Sequence, residues 1–258
     1  MDMVGSFPSE LQQRIFWYLS PIDLGRAACV SRSWNRAINR SELWQSLDLK
    51  KYFPLLKVID GSIWKKSISL EMHGLSVEDE PILDKRALCP LLHKFSSLPI
   101  EDHLGFTLLT IPKGLNLRKL KTIGLVPKKG NRCDLSRSIL EPFERVITQS
   151  KVVLISNALL DGTRVLVEDE QEKFLKEREC EVPDLLTMAT LLTMTYITSQ
   201  HPPTRLFNDD ETFYFGRCID KMDGKSIGIG RFREGGFLFV KITFISTGII
   251  GVAAQRNL

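Results

Sequence analysis

Between Pro8 and Pro21 the chain sets five apolar side chains in a row, Ile15, Phe16, Trp17, Tyr18 and Leu19. At about 100° per residue such a run covers a helix on every side. Pro8 suits a first turn and Ser20-Pro21 forces a stop, so the helix is held to roughly three turns. A short helix without a polar face has to be covered twice. Leu11, Ile15 and Leu19 recur every fourth residue and predict the side turned to the protein's own core. Phe16, on the side away from Leu11, is then expected to meet a second surface. Ser6 is the expected cap, and Glu10 lies early, where a carboxylate suits the helix dipole.

Further short helices are predicted from "PIDLGRAACV", with Leu24, Ala27 and Ala28, from a start near Ser31, with Trp34 and Ile38, and from "SELWQSL", with Leu43 and Trp44. The unit is only about 40 residues long, and at that size a chain buries too little surface without disulfides, a metal or a partner. Cys29 is the only cysteine or histidine before His73, so neither staple is supplied. A protein partner remains.

"FPSELQQRIFWYLSPIDLGRAACVSRSWNRAINRSELWQSL" resembles an F-box. The resemblance is carried by Phe7-Pro8, Glu10, Ile15 and Leu19, Pro21 with Asp23-Leu24, Val30-Ser31-Arg32, Trp34 and Leu43-Trp44. Phe7 stands where the family has leucine, and Gly25 weakens the second helix by up to about 1 kcal/mol. What the resemblance implies is docking to a Skp-type adaptor and, through it, to a cullin and a ubiquitin-conjugating enzyme. Phe7, Pro8, Glu10, Ile15, Phe16, Leu19, Asp23, Leu24, Val30 and Trp34 occupy the positions expected at or beside that interface. The plain alternative, a three-helix piece packed on its own chain, explains apolar residues but not this ordered set.

The expected organisation is an F-box over residues 1–50 and one α+β domain over 51–258. No leucine-rich, propeller or ankyrin period is present. "PILDKRALCPLLHKFSSL" reads helical with a break at Pro90, "GFTLLTIP" as a buried strand, "NLRKLKTIGLV" as a helix opening at Asn116, and "LSRSILEPFERVITQ" as a helix disturbed at Pro142. "KVVLIS" predicts a central strand. "EDEQEKFLKERE" reads as a solvated helix, and "VPDLLTMATLLTMTYITSQ" as a longer apolar one. "FYFGRCID", "SIGIGRF", "FLFVKITF" and "GIIGVAA", parted by "KMDGK", "REGG" and "ISTG", predict an antiparallel meander. Helices mixed with late-clustering strands define the α+β class. "SLPIEDHLGFTLLTIPKGLNLRKL" and the closing "GIIGVAA" make residues 52–256 similar to domains that follow F-boxes in chlamydia-like, amoeba-infecting bacteria. That likeness implies a bacterial protein acting inside a host cell and carries no activity.

Chemical motifs point elsewhere than catalysis. Gly228 and Gly230 of "GIGRFREGG" sit in an alternating strand, whereas a phosphate loop needs a strand-to-helix turn. Cys89 and His93 lie one turn apart, but "ALCPLL" is an apolar setting that disfavours a thiolate. His73, His103 and His201 lack ligand spacing, so no metal is expected. No cofactor is expected either. Lys113, Arg118, Lys119, Lys121, Lys128, Lys129 and Arg132 form the densest basic stretch but lack interleaved aromatics. They read first as a solvated face, with an acidic partner or nucleic acid as the alternative. Cys29, Cys89, Cys133, Cys180 and Cys218 are odd in number and widely spaced, which predicts buried, unpaired thiols in a reducing compartment. With 43% hydrophobic residues, no basic-apolar leader and no apolar window near 18 residues, neither a signal nor a membrane span is expected.

Taken together, these features predict a cytoplasmic, non-catalytic adaptor: residues 1–50 join the ligase scaffold and 51–258 select a target protein. If the chain is a bacterial effector, the compartment is the host cytosol. The alternatives are a scaffold or sequestering protein that hands no target to ubiquitin, and an enzyme domain anchored by the F-box.

Overall fold

Short polar side chains start the first helices of the computed structural model, which describes residues 7–39, 41–45, 47–78, 83–100, 105–124, 143–198, 215–233, 237–242 and 250–258. Helix α1 spans Ser9–Trp17, α2 Pro21–Ala28, α3 Arg32–Ile38, α4 Ser41–Gln45 and α5 Leu49–Tyr52. The Ser20 hydroxyl accepts from the Asp23 amide at 3.2 Å, Ser31 from Trp34 at 3.2 Å, and Asp48 from Lys50 at 3.0 Å. Each satisfies an amide that a helix leaves unpaired in its first turn. Helix α1 has no such side-chain cap: Pro8 is its N-cap residue, and the Gln12 side-chain Nε2 donates to the Phe7 carbonyl at 2.8 Å. Ser6 lies outside the described residues.

The chain forms two units, one running to Leu56 and taking in Ile82–Leu98, the other made of Lys57–Pro81 and Pro99–Leu258. Between the two parts of the first unit come strand β1, Leu56–Ile59, and helix α6, Gly61–Ser67. Helix α7, Lys85–Ser96, then packs on α2 and α4. The boundary read at residue 50 therefore assigns α7 to the wrong unit. The reason is physical: α7 buries Leu88, Cys89, Leu92 and Phe95, apolar area that the first five helices lack, and its Lys85 ammonium donates to the carbonyls of Gln45 at 2.7 Å and Leu47 at 2.9 Å. Those carbonyls lie at the end of α4, where a cation complements the dipole. Pro90 does not break α7. It sits inside the helix on an exposed face, where the amide it lacks leaves a carbonyl that water can reach.

The second unit is α+β, as expected. Its first sheet has the order β1-β2-β3-β8, with β2 at Phe106–Ile111, β3 at Lys151–Ser156 and β8 at Gln255–Asn257. Strands β2 and β3 are antiparallel, Phe106 opposite Ser156 and Ile111 opposite Lys151. Every residue of β2 is buried and so is β3 from Val152 onward, which explains their continuous apolar runs. Helix α8 is Leu117–Gly124, opened by Asn116, whose side chain accepts from the Lys119 amide at 2.8 Å. Helix α9 is Glu168–Lys176 and α10 is Leu185–Thr198. All of α10 from Leu185 to Thr195 is buried, as an apolar-all-round helix must be. It packs on α8 and β2 and, opposite, on the second sheet, whose order is β6-β5-β4-β7.

In that sheet β4 is Phe215–Met222, β5 Lys225–Arg233, β6 Phe237–Ile242 and β7 Ile250–Gly251. Met222 pairs with Lys225 across a two-residue turn in which Asp223 and Gly224 have φ of 52° and 72°, the left-handed pair that a tight hairpin needs. The meander holds for β4, β5 and β6 only. Strand β7 crosses to the far edge and pairs parallel with β4, after which buried Val252-Ala253-Ala254 lead into β8 of the other sheet. Two further expectations change. Residues 143–149 form no helix; the rest of that predicted helix lies outside the described residues. Helix α9 is not simply solvated: Gln171 and Leu175 are buried, and Arg217 of β4, 3% exposed, donates Nε to Gln171 at 2.9 Å and Nη1 to Glu168 and Glu172 at 3.1 Å each.

Candidate interaction surface

The deepest residue of α1 is Phe16, 1% exposed, its ring edge-on to Trp34 with centroids 5.4 Å apart and planes at 63°. That orientation suits the aromatic quadrupole. Ser9, Gln12 and Gln13 are the other partly covered positions of the helix, three and four residues apart, so the inward face runs 9, 12, 13, 16. The predicted core stripe is thereby inverted. Leu11 is 47% exposed and Ile15 39%, while Phe16, expected to face a partner, is core. Leu24, 1% exposed, is core as well and is corrected with it.

Outside lies an unusual concentration of apolar groups. Phe7, Leu11, Ile15, Trp17, Tyr18, Ile22 and Val30, seven of the large exposed hydrophobics, fall within 24 residues. Leu11 and Ile15 lie four residues apart on one side of α1, Tyr18 is its C-cap residue, and Ile22 belongs to α2, beyond the extended Ser20. Beside them is a pocket of about 270 Å³ lined by the buried Phe16, Leu24 and Leu43 together with Trp17, Tyr18, Leu47 and Tyr52 and edged by Asp48 and Lys51. Scattered single hydrophobics need no explanation, whereas a concentration of this kind makes the segment a candidate interaction surface.

Of the residues singled out in the sequence, Phe7, Pro8, Glu10, Ile15, Asp23 and Val30 are exposed, Leu19 and Trp34 are half-buried, and Phe16 and Leu24 are enclosed. Asp23 serves its own helix, accepting from the Ser20 hydroxyl at 2.7 Å and pairing with Arg26 at 3.4 Å. Sequence reasoning missed Leu11, Trp17, Tyr18 and Ile22 as outward groups. The signal that would have found them is the polar set Ser9, Gln12 and Gln13 sharing a face with Phe16, a pattern that makes sense only if Phe16 is the anchor.

The chemical motifs stay quiet. Burial pushes the Cys89 thiol up to about 11, and His93 on the same helix is exposed. Burial likewise raises Cys180 to about 11 and Cys218 well above the ordinary thiol value. Cys29 departs from expectation by being exposed, and Cys133 lies outside the described residues. Gly228 and Gly230 are strand residues of β5. Among the described residues no three His, Cys, Asp or Glu side chains are grouped to hold a metal, and no helix is long and apolar enough to cross a membrane. In the basic stretch, Lys119 donates to the Gly74 carbonyl at 3.0 Å and Arg118 pairs with Glu144, while Lys128, Lys129 and Arg132 lie outside the described residues.

Residues 4–50 match the F-box-like family model. No curated protein and no solved structure matches the chain. The likeness drawn for residues 52–256 rests on its two quoted segments alone.

Proposed function

An F-box-like domain is a protein-interaction module, and domains of this kind bind Skp-type adaptors; from that premise we propose that this chain is a target-selecting adaptor of a Skp/cullin-type ubiquitin ligase. The observation that carries the reading is the pairing of the family match with the exposed apolar side chains of Leu11, Ile15, Tyr18 and Ile22 on the matched segment. Phe7, Pro8 and Val30 join Ile15 and its neighbours at the adaptor, with Glu10 and Asp23 on the polar rim and Leu19 and Trp34 supporting the contact from beneath. The second unit holds the target protein. Its work is positional: a lysine kept near a loaded ubiquitin meets it at high effective concentration, so the chain itself acts as a non-catalytic part. The ligase machinery belongs to the cytosol, which in the case of a bacterial effector is the host's.

The test is capture of a purified Skp-type adaptor by the full chain. Leu11→Asp combined with Ile15→Asp puts two carboxylates into the buried centre of the contact and should abolish capture, while circular dichroism stays unchanged because both side chains are already exposed. Full capture by this folded variant would refute the reading.

A further inference from the structure

The first unit carries a second surface of different chemistry. Between α2 and α3 runs an open groove of about 430 Å³ lined by Ala28, Cys29, Ser31, Arg32, Asn35 and Arg36. Arg32 and Arg36 are exposed, and neither guanidinium makes a hydrogen bond or ion pair among the described residues. Arg26 at the neighbouring turn is paired with Asp23 at 3.4 Å. Residues 24–41 hold four arginines and no acid, so this short segment carries as much net positive charge as the whole chain, +4.

The type of cation matters as much as the sign. The first 49 residues contain five arginines and no lysine, whereas residues 50–66 contain five lysines and no arginine. A face charged only for solubility would use either. A guanidinium differs by its rigid fork, which donates to both oxygens of a carboxylate at once, and by its weaker hydration, which makes it easier to strip on binding. Arg32 and Arg36 are four residues apart, so they project from one side of α3, about 6 Å from each other along the axis. An extended peptide presents every second side chain on one face at about 6.8 Å. Alternate acids on a strand-like segment therefore match the two forks in step.

We propose that the α2–α3 groove binds a carboxylate-rich extended segment of a protein partner, Arg32 and Arg36 each clasping one of two acids two residues apart. Asn35 is held in place between the two arginines by its own hydrogen bonds, its amide nitrogen donating to the Ala28 carbonyl at 3.1 Å and its oxygen accepting from the Asn39 side-chain amide at 2.8 Å. The site does not depend on the exposed apolar group or on the identity of the protein docked there.

The test is a titration of the full chain into a fluorescein-labelled twelve-residue peptide of alternating Glu and Ser, read by anisotropy, with the Gln-Ser peptide beside it. The acidic peptide alone should bind, more weakly as salt rises through the range where the Debye length shortens. Arg32→Glu with Arg36→Glu should weaken binding about tenfold or more, and Arg32→Lys with Arg36→Lys by a smaller factor, since charge remains while the fork is lost. Leu11→Asp should bind the peptide as wild type does. Unchanged affinity in the Glu variant overturns the proposal. So does loss of binding in Leu11→Asp, which would move the peptide to the exposed apolar group. Tighter binding of a twelve-nucleotide single strand than of the peptide also overturns it, by making the groove a phosphate site.

Discussion

Phe16 and Ile15 are adjacent in sequence and opposite in role, and exchanging each for a hostile residue separates them. Phe16 is 1% exposed and contacts the Trp34 ring at 5.4 Å, so Phe16→Ala removes a fully buried aromatic at a cost of about 3–5 kcal/mol. Of this, about 0.5–1.5 kcal/mol belongs to the aromatic pair and should appear as coupling in a cycle with Trp34→Ala. A small helical unit holds only about 3–5 kcal/mol in all, so Phe16→Ala should leave it largely unfolded. Ile15 is 39% exposed, and Ile15→Asp should stay within about 0.5 kcal/mol of wild type. Trp17, Trp34 and Trp44 lie in the first unit and only Trp64 in the second, so tryptophan emission during urea titration follows mainly the unit in question. A loss under about 1 kcal/mol for Phe16→Ala, with more than about 3 kcal/mol for Ile15→Asp, would restore the face order predicted from the four-residue repeat and refute the one described.

Other outcomes are equally specific. Lys85→Met keeps the apolar stem but withdraws two ammonium hydrogen bonds from the end of α4, and urea titration should show the first unit weaker by about 1–2 kcal/mol, the half-exposed ammonium discounting the value of a buried charged bond. Burial alone would raise the Glu168 carboxyl, but the hydrogen bond from Lys221 and the charges of Arg217 and Lys221 outweigh it and hold the group below its ordinary value. Its stabilisation is thus complete above the unfolded pKa and is lost as pH falls through the lower folded one. Glu168→Gln should flatten the acid limb of the stability curve below about pH 4.5, and a limb identical to wild type would count against the ion cluster.

Legibility followed locality. The Asp-Gly hairpin after Met222, the "KVVLIS" strand, buried from Val152 onward, and the Asn116 start of α8 are each set by a few neighbouring residues, and each is legible in the sequence. The faces of α1 are not, because five successive apolar residues erase the periodicity that would tell inside from outside. The position of α7 depends on contacts with helices some 50 residues earlier, and Lys85 looks like any other lysine until it meets the carbonyls of Gln45 and Leu47. The anchoring of α9 likewise needs Arg217, 49 residues beyond Glu168. Of the exposed apolar group, Ile15, Val30 and the Phe7-Pro8 opening belong to the family pattern, while the outward placing of Leu11 and Tyr18 follows from the orientation of Phe16.

The crossing from β7 through Val252-Ala253-Ala254 to β8 works as a seam. A single short ribbon closes the outer margin of one sheet and then of the other, with Ser156 and Ala254 exchanging bonds at 2.9 Å and Leu258 still tied to Val152 at 3.1 Å. Trimming it would fray both layers together, so the second unit should melt in one step, and any tag fused after Leu258 would need a spacer of its own to leave the weave intact.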